Sequence, residues 1–281
     1  MLTFETDHLG REYDRLLDEV VTNGMDVAPR GVECVEVSPL VLSLADPLAC
    51  VVSRPRFSEP LMYMEMAQLL AGEFHPSLYE ALSKNAAKML TPYGAYGPRV
   101  REQLLFVEDE LRRDPHSRRA VVYIGRPDDL RLSQAYDPEQ LDMPCTEKWQ
   151  FLLRGGKLKM IVGMRSWDLV WGLSYDIPAF VSVQVAMASA LGTGLGDYAH
   201  VAGSGHVYKQ HYGLAPESND NRLDFRLDAG TPLDDTQRRA SEALAAARAT
   251  LGATRPFDWS DFVAREWQRP LSLWAEKFSK V

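Results

Sequence analysis

The 281-residue sequence predicts a single α/β domain that spans residues 1–281. Strand-like runs rich in β-branched residues occur together with longer runs at helical spacing. With 46% hydrophobic residues, a chain of this length can bury a full core, and no low-complexity stretch or linker divides it. The formal net charge of -8 argues against a nonspecific nucleic-acid binder, which needs a surplus of Lys and Arg.

The helices are predicted from apolar residues at helical spacing, over residues 9–23, 60–71, 77–89, 100–113, 177–192 and 234–251. The second begins at Pro60 and stops at Gly72, the usual order of a helix start and a helix end. The fifth is the most apolar long segment, but it contains Ser182 and Gln184 and is too short for a membrane span. We therefore interpret it as a buried helix.

The strands are predicted over residues 32–37, 40–44, 120–124, 150–154, 157–164 and 198–208, with one more expected over 221–227. Gly155-Gly156 joins the fourth and fifth of these, and a glycine pair is typical of a two-residue hairpin. Residues 126–138 are predicted to form an exposed loop that leads back to the hairpin.

A single cysteine lies at the start of this hairpin. Cys145 follows Pro144, whose ring fixes the local backbone. The returning strand ends in Arg165-Ser166-x-Asp168, so the hairpin should bring a guanidinium, a hydroxyl and a carboxylate beside the thiol. Such a cluster is typical of an anion site beside a nucleophile. The alternative is a small buried residue without chemistry, the commoner use of a lone cysteine.

Two carboxyl groups stand among apolar residues. Glu65 interrupts the apolar run of the second helix, and Asp176 precedes the buried helix. A buried carboxyl group needs a partner or a shifted pKa, so both are candidate acid/base or ligand-reading groups. Alternatively, Glu65 lies on the wet face of its helix and Asp176 only caps one.

Further candidates are basic and aromatic. Arg118 and Arg119 are adjacent before a strand, and paired guanidiniums suit phosphate. Arg30 lies on a loop that leads into the sheet, where most arginines are merely solvated. The loop 93–98 offers aromatic side chains to a ligand, and His206 and Tyr208 face one side of a strand.

The cysteines indicate a reducing compartment. Cys34, Cys50 and Cys145 make an odd number without metal-ligand spacing, so neither a disulfide framework nor a metal site is expected. Residues 1–14 have neither the basic region nor the apolar core of a secretory signal. We expect a cytoplasmic protein without a membrane anchor.

These residues, taken together, resemble the thymidylate synthase superfamily. The resemblance is carried by Pro144-Cys145, Gln150-Phe151, Gly156-Lys157-Leu158, Arg165-Ser166-x-Asp168, Gly172-Leu173, Gly196-Asp197, His200, Gly203 and His206-x-Tyr208, in that order and spacing. Weaker matches upstream are Arg30, Glu65, Tyr96-Gly97 and Asp114-Pro115-x-Ser117-Arg118-Arg119. The implied fold is a large mixed β-sheet flanked by helices, with a sheet face at the interface of an obligate homodimer.

The resemblance also implies roles. Cys145 would attack C6 of a pyrimidine nucleoside 5′-monophosphate, and the guanidinium of Arg165 favours the thiolate that this attack needs. The substrate-binding residues would be Arg30, Arg165, Ser166, Gln150, His206 and Tyr208, with Arg118 and Arg119 of the partner subunit at the phosphate. Asp168, Gly172 and Tyr96 would contact the co-substrate 5,10-methylenetetrahydrofolate, and Glu65 would organise water and protons.

Asp176 is the informative departure, because thymidylate synthases carry an asparagine there that binds uracil. Cytosine offers a donor at N4 and an acceptor at N3, and a protonated carboxyl group complements both. Asp176 therefore resembles the cytidylate 5-hydroxymethylases, a branch of the same family. The residues themselves leave CMP and dCMP open, and CMP is favoured because the sequence looks closer to the hydroxymethylases of nucleoside-antibiotic biosynthesis than to the phage dCMP enzymes.

Three further departures favour hydroxymethylation. Thr146 replaces the histidine after the cysteine, tryptophans before Tyr96 are missing, and the C-terminus lacks the closing apolar motif, so water could reach the intermediate. Ser204 also replaces an aspartate near the sugar site. The alternatives are a methylase that acts on dUMP and a non-catalytic nucleotide- or RNA-binding relative.

Overall fold

The strands form two sheets. The computed structural model describes residues 1–131, 143–212, 214, 218–251 and 264–278. Its strands are β1 (Leu2–Thr6), β2 (Met25–Val27), β3 (Cys34–Val37), β4 (Leu40–Leu44), β5 (Val121–Tyr123), β6 (Thr146–Arg154), β7 (Lys157–Met164), β8 (Trp167–Asp168), β9 (Gly194–Ala202) and β10 (Gly205–Tyr208). Within the described residues, the larger sheet has the order β1-β4-β9-β7-β6-β5 and the smaller one β2-β3-β10-β8.

Both sheets mix parallel and antiparallel pairs. In the larger sheet β1 with β4 and β7 with β9 are parallel, whereas the other pairs are antiparallel. In the smaller sheet β10 is antiparallel to β3 and parallel to β8. The helices are α1 (Leu9–Asn23), α2 (Glu59–Ala71), α3 (Pro76–Leu82), α4 (Lys84–Met89), α5 (Gly97–Arg113), α6 (Leu173–Leu191), α7 (Leu233–Thr250) and α8 (Arg265–Phe278). The predicted α/β class and the mixed sheet are confirmed.

The central helices are α2 and α6, and both are apolar on nearly every face. A helix of that composition must be buried all round, and α2 packs against α5, α6, α7 and α8. Inside α6, the Gln184 amide donates to the carbonyls of Leu158 at 2.9 Å and Gly196 at 3.0 Å. One buried amide thus ties this helix to strands β7 and β9. Among the described helices, none is long and apolar enough to cross a membrane.

The hairpin of β6 and β7 forms as predicted. Gly155 has φ 57° and Gly156 φ 72°, the left-handed conformations that a type I′ turn needs at both central positions. Along β7, Leu158, Met160 and Val162 are fully buried, whereas the alternate residues are partly exposed. The helices of this chain therefore cover only one face of this part of the sheet.

Two predicted elements are each divided. The helix expected over 77–89 is two helices, because Ser83 is extended and its hydroxyl accepts from the Ala86 N–H at 3.2 Å to cap the second. The strand expected over 198–208 is also two. Gly203 and Ser204 turn the chain out of the larger sheet, so β9 and β10 belong to different sheets.

For the described residues, one other expectation was wrong and a second holds except at a single buried residue. Residues 221–227 contain no regular strand, although Leu223 and Phe225 are buried there. Residues 126–131 are not wholly exposed, because Asp129 forms an ion pair with Arg99 at 2.8 Å in which both side chains are 3% exposed. The phenol of Tyr93 also donates to Asp129, at 2.5 Å. The remainder of the predicted loop, residues 132–138, lies outside the described residues.

Candidate active site

Cys145 lies immediately before β6, and Arg165 holds the segment that carries it. The Arg165 N–H donates to the Cys145 carbonyl at 2.9 Å, and its guanidinium donates to the carbonyls of Pro144 and Met143, both at 3.0 Å. The same guanidinium has Nη2 3.5 Å from the Cys145 Sγ. The hairpin thus brings a cation to a half-buried thiol, an arrangement that favours the thiolate.

The thiol opens on a cavity of about 130 Å³ that also holds both candidate carboxyl groups. Glu65 reaches it from α2 and Asp176 from the first turn of α6, although more than 100 residues separate them. The other lining residues are Gln68, Leu69, Glu73, Phe74, Tyr79, Leu90, Gly94, Ala95, Tyr96, Gly97, Ala179 and Phe180. A thiol and two carboxyl groups therefore line one cavity, which is partly open to solvent.

Asp176 is not a helix cap. The N-cap of α6 is Gly172, and Asp176 is the fourth helical residue. Burial, helped by the negative charge of Asp168 and opposed by the Trp167 indole, raises the pKa of Asp176 to about 7. Its carboxyl group is deep yet borders the cavity, so a ligand can reach it. The N-cap alternative is wrong.

Glu65 has a similar environment. Burial, with a contribution from the charge of Asp176, raises the pKa of Glu65 to about 8. The charge of Glu65 also contributes, after burial, to a raised pKa of the Tyr79 phenol. Two carboxyl groups that interact in this way titrate as a pair, and near neutral pH the pair holds at least one proton. The wet-face alternative for Glu65 does not fit, because it lines the cavity.

The smaller sheet presents the predicted sugar-binding residues. In β10 the rings of His206 and Tyr208 lie 4.9 Å apart and nearly perpendicular. Burial lowers the pKa of His206, which leaves the ring neutral at pH 7. Burial raises the pKa of Tyr208, and the charges of Arg30 and Cys145 also act on it. Tyr208 is therefore near both the thiol and Arg30. Arg30 is exposed in a left-handed conformation with φ 53°.

The predicted folate residues adjoin this arrangement. Asp168 in β8 accepts from the N–H groups of Val170 at 2.8 Å and Trp171 at 3.1 Å. A side chain at Gly172 would meet the Asp168 carbonyl at 2.8 Å and an Asp176 carboxyl oxygen at 3.0 Å. Glycine is therefore needed at position 172. Tyr96 lies in the cavity itself, where its hydroxyl accepts from the Thr146 N–H at 3.3 Å.

Four of the predicted site residues line the cavity, namely Cys145, Glu65, Asp176 and Tyr96. The arginines expected from the partner subunit and Gln150 lie away from it within one chain. Arg118 and Arg119 are exposed before β5, and Arg119 pairs with Glu110 at 3.2 Å. The Gln150 amide donates to the Arg118 carbonyl at 2.9 Å, on the sheet and away from the cavity lining. Ser166 is half-buried beside Arg165.

The structure adds residues that the sequence did not single out. Tyr79 and Gln68 line the cavity near Glu65, and Glu36 accepts a hydrogen bond from Ser204 beside His206. Tyr79 and Gln68 gave no signal, since both fit an amphipathic pattern. Glu36 could have been noticed as an acidic residue within the apolar strand β3. Its neighbour across the sheet, His206, could not be predicted from the sequence.

The α/β fold thus brings together a thiol, a guanidinium and, at the same cavity as the thiol, two buried carboxyl groups. The chain belongs to the thymidylate synthase family, whose family model, described as Thymidylate synthase, matches residues 78–222, more than half of the chain. It is also 28% identical over 235 residues to the deoxyuridylate hydroxymethyltransferase of Bacillus phage SP01. That match covers 76% of this chain and 60% of the phage protein, so the chain spans less than two thirds of that relative.

Proposed function

We propose that this protein is a pyrimidine nucleotide 5-hydroxymethyltransferase that converts CMP or dCMP to the 5-hydroxymethyl product with 5,10-methylenetetrahydrofolate and water. Family membership supports one-carbon transfer onto a pyrimidine nucleotide. The activity named for the phage relative supports a hydroxymethyl rather than a methyl product. Its name specifies a uracil nucleotide, so the preference for cytosine rests on this chain's own residues. A role in nucleoside-antibiotic biosynthesis stays a prediction.

Asp176 is the observation that carries the proposal. A carboxyl group with a pKa of about 7 is partly protonated at neutral pH, so it can donate to N3 of cytosine and accept from the N4 amino group. Uracil presents a donor at N3 and an acceptor at O4. An ionised carboxylate can only accept, so one of its oxygens would face the acceptor O4 without a proton between them. Because Asp176 and Cys145 share one cavity, a base held by the carboxyl group lies near the thiol.

The phosphate is assigned to the exposed side of Arg165. A second cavity, of about 510 Å³, adjoins this residue and is also lined by Arg126 and Lys148. Arg30 is exposed near Tyr208. Arg118 and Arg119 complete the site from a partner subunit in our proposal, which fits their exposure and the uncovered face of the hairpin strands. The protein is then an obligate homodimer.

The residues fit the folate co-substrate at Asp168, Trp171 and Gly172. The second carboxylate oxygen of Asp168 can accept from a pterin, the half-buried Trp171 ring offers an aromatic face, and the missing side chain at Gly172 leaves room against Asp176. When bound, the co-substrate supplies a one-carbon unit at the formaldehyde oxidation level. Tyr96 in the cavity then contacts the base and the folate together.

The chain's own groups perform the remaining steps. The Cys145 thiolate bonds C6 of the ring, while Asp176 gives a proton to N3 and thereby neutralises the charge that develops. After C5 has taken the carbon unit, Glu65 accepts the C5 proton through water and returns it to the folate nitrogen as the bond between that nitrogen and the carbon unit breaks, which leaves an exocyclic methylene group on the ring. Glu65 is then ionised again and accepts a proton from the water whose hydroxide bonds this methylene group. That proton replaces the one consumed when the folate bridge opened. Asp176 recovers its proton from N3, and Cys145 leaves as thiolate.

The test is incubation of the protein with methylenetetrahydrofolate and each of CMP, dCMP, UMP and dUMP. We expect the cytidine nucleotides to gain the mass of a CH₂O unit, and the folate product to be tetrahydrofolate. A gain of CH₂ with formation of dihydrofolate shows a methylase instead. Nucleotide binding without any turnover shows the non-catalytic relative. Asp176→Asn is the matched variant, because an amide in the same place complements uracil.

A further inference from the structure

A second carboxylate lies beside the predicted sugar-binding residues. The Ser204 hydroxyl donates to Glu36 Oε2 at 2.5 Å, and its oxygen lies 3.5 Å from His206 Nδ1. Glu36 belongs to β3, and His206 to β10. The two residues lie directly opposite each other in an antiparallel pair, so their side chains project from the same face of the sheet.

That face is the one turned toward the thiol. Tyr208 lies two residues after His206 and therefore on the same face, and the charge of Cys145 acts on its phenol. Asp168 in β8 is the parallel partner of His206, and its charge acts on the His206 ring. Glu36, His206, Tyr208 and Asp168 therefore form one polar row beside the site.

Hydrogen bonds hold the turn that contains Gly203 and Ser204 next to Arg165, the residue to which we assign the phosphate. The Gly203 N–H donates to the Met164 carbonyl at 2.9 Å, and the Ser38 hydroxyl donates to the Gly203 carbonyl at 2.7 Å. A side chain at position 203 would meet the Arg165 carbonyl at 3.1 Å. Ser204 thus directly follows a residue that packs against the Arg165 backbone, and its hydroxyl contacts Glu36. In the proposed pose the sugar lies between the phosphate at Arg165 and the base at Asp176, next to this turn.

Glu36 has acceptor capacity that the chain does not use. It is half-buried, and among the described residues it forms no ion pair and accepts a side-chain hydrogen bond from Ser204 alone. A partly desolvated carboxylate is an acceptor that needs donors. A ribose presents two adjacent hydroxyl donors, and an acidic side chain is the usual reader of a ribose 2′-hydroxyl in dinucleotide-binding sites.

We propose that Glu36, held in place by Ser204, accepts a hydrogen bond from the 2′-hydroxyl of the nucleotide and makes the site selective for ribonucleotides. His206 and Tyr208 hold the neighbouring 3′-hydroxyl in this arrangement. The inference rests on the proposed function for the position of the nucleotide, and within it names the substrate as CMP rather than dCMP.

The test compares kcat/KM for CMP and dCMP in the wild type, Glu36→Gln and Glu36→Ala. We expect the wild type to prefer CMP. The ratio of the two values should fall by about 10-fold in Glu36→Gln, the difference between a charged and a neutral acceptor, and further in Glu36→Ala. Ser204→Ala should lower the ratio less, because the Glu36 carboxylate then loses the hydrogen bond that holds it in place but keeps its charge. Glu33→Gln, which neutralises an exposed acid just before the same strand, should leave the ratio unchanged.

Two results would overturn the inference: a wild type that does not prefer CMP, or variants that lose CMP and dCMP activity by the same factor. The second result would mean that Glu36 only holds His206 in place, because such a role affects the turnover of both nucleotides equally. If the wild type hydroxymethylates neither nucleotide, the proposed function fails. The inference is then tested by calorimetry, which compares the binding of CMP with that of dCMP and the binding of UMP with that of dUMP. A ribose preference in binding that Glu36→Gln removes supports it, and equal binding of both sugars overturns it.

Discussion

Arg165 holds Cys145 in two ways: its backbone N–H donates to the Cys145 carbonyl at 2.9 Å, and its Nη2 lies 3.5 Å from the Sγ. The backbone bond belongs to the hairpin, whereas the guanidinium contact depends on the side chain. A substitution at position 165 can therefore remove the cation beside the thiol while it leaves the strand pairing in place.

Arg165→Gln should slow the alkylation of Cys145 by iodoacetamide at neutral pH, because the thiolate loses a neighbouring positive charge. The rate is measured by mass spectrometry of the peptide that contains Cys145. Lys159→Gln removes a half-buried cation, paired with Asp197, from β7, the strand that ends just before Arg165, and should not change the rate. Equal rates in the wild type and Arg165→Gln would show that the guanidinium does not activate the thiol.

Cys145→Ser should abolish turnover and retain nucleotide binding, because a hydroxyl at neutral pH is far less nucleophilic than a thiolate. Product mass reports turnover, and calorimetry reports CMP binding. Cys50→Ala is the control, since this cysteine is fully buried in the core. Turnover that survives in Cys145→Ser contradicts the proposed covalent step.

Turnover of CMP should peak between about pH 7 and 8, because Asp176, with a pKa of about 7, must be protonated to donate to N3, and Glu65, with a pKa of about 8, must be ionised to act as a base. The group that must be protonated has the lower pKa, so the bell-shaped profile rises with an apparent pKa of about 7 and falls with one of about 8, and these apparent values belong to the pair. Asp176→Asn should remove the descending limb and shift activity toward UMP or dUMP. If activity still falls at high pH in this variant, the descending limb is due to the titration of another group.

The same two carboxyl groups should make folding stability depend on pH. Their pKa values are raised in the folded state, so the folded protein binds these protons more tightly than the unfolded chain. This contribution to stability is complete below the ordinary carboxyl pKa of about 4 and is lost by the time pH has passed the folded values of about 7 and 8. Glu65→Gln should flatten the decline of Tm over that range, as measured by calorimetry. A slope equal to that of the wild type would contradict the assignment.

Asp129→Ala should destabilise the fold by about 3–5 kcal/mol, because it leaves the buried guanidinium of Arg99 without its partner. Urea unfolding measures the loss. Asp128→Ala is a matched control on the adjacent residue, since Asp128 pairs with Arg131 at the surface, where both side chains are more than half exposed. That change should cost about 0–1 kcal/mol. Similar losses in both variants would show that burial of the pair does not matter.

Local signals located much of this structure from the sequence. The glycine pair at residues 155–156 predicted the hairpin, and with it the approach of Arg165 to Cys145, because a two-residue turn fixes which residues face each other. The helix periodicity predicted α1, α2, α5, α6 and α7 to within a few residues. The motif order identified the family. The sequence also placed Glu65 and Asp176 in apolar surroundings, without showing that they meet.

The tertiary structure decided the relationships between residues that are distant along the chain. Glu65 and Asp176 share a cavity because α2 packs on α6, and Glu36 faces His206 because β3 pairs with β10. Ser83 and Gly203 each divide an element that periodicity had predicted to continue, since a cap or a change of sheet depends on the surroundings and not on local pattern. The sequence by itself thus predicted which residues carry the chemistry, through spacing over a few turns or strands. Which of them act on one another was decided by packing and strand register, because burial and charge depend on neighbours that only the folded chain supplies.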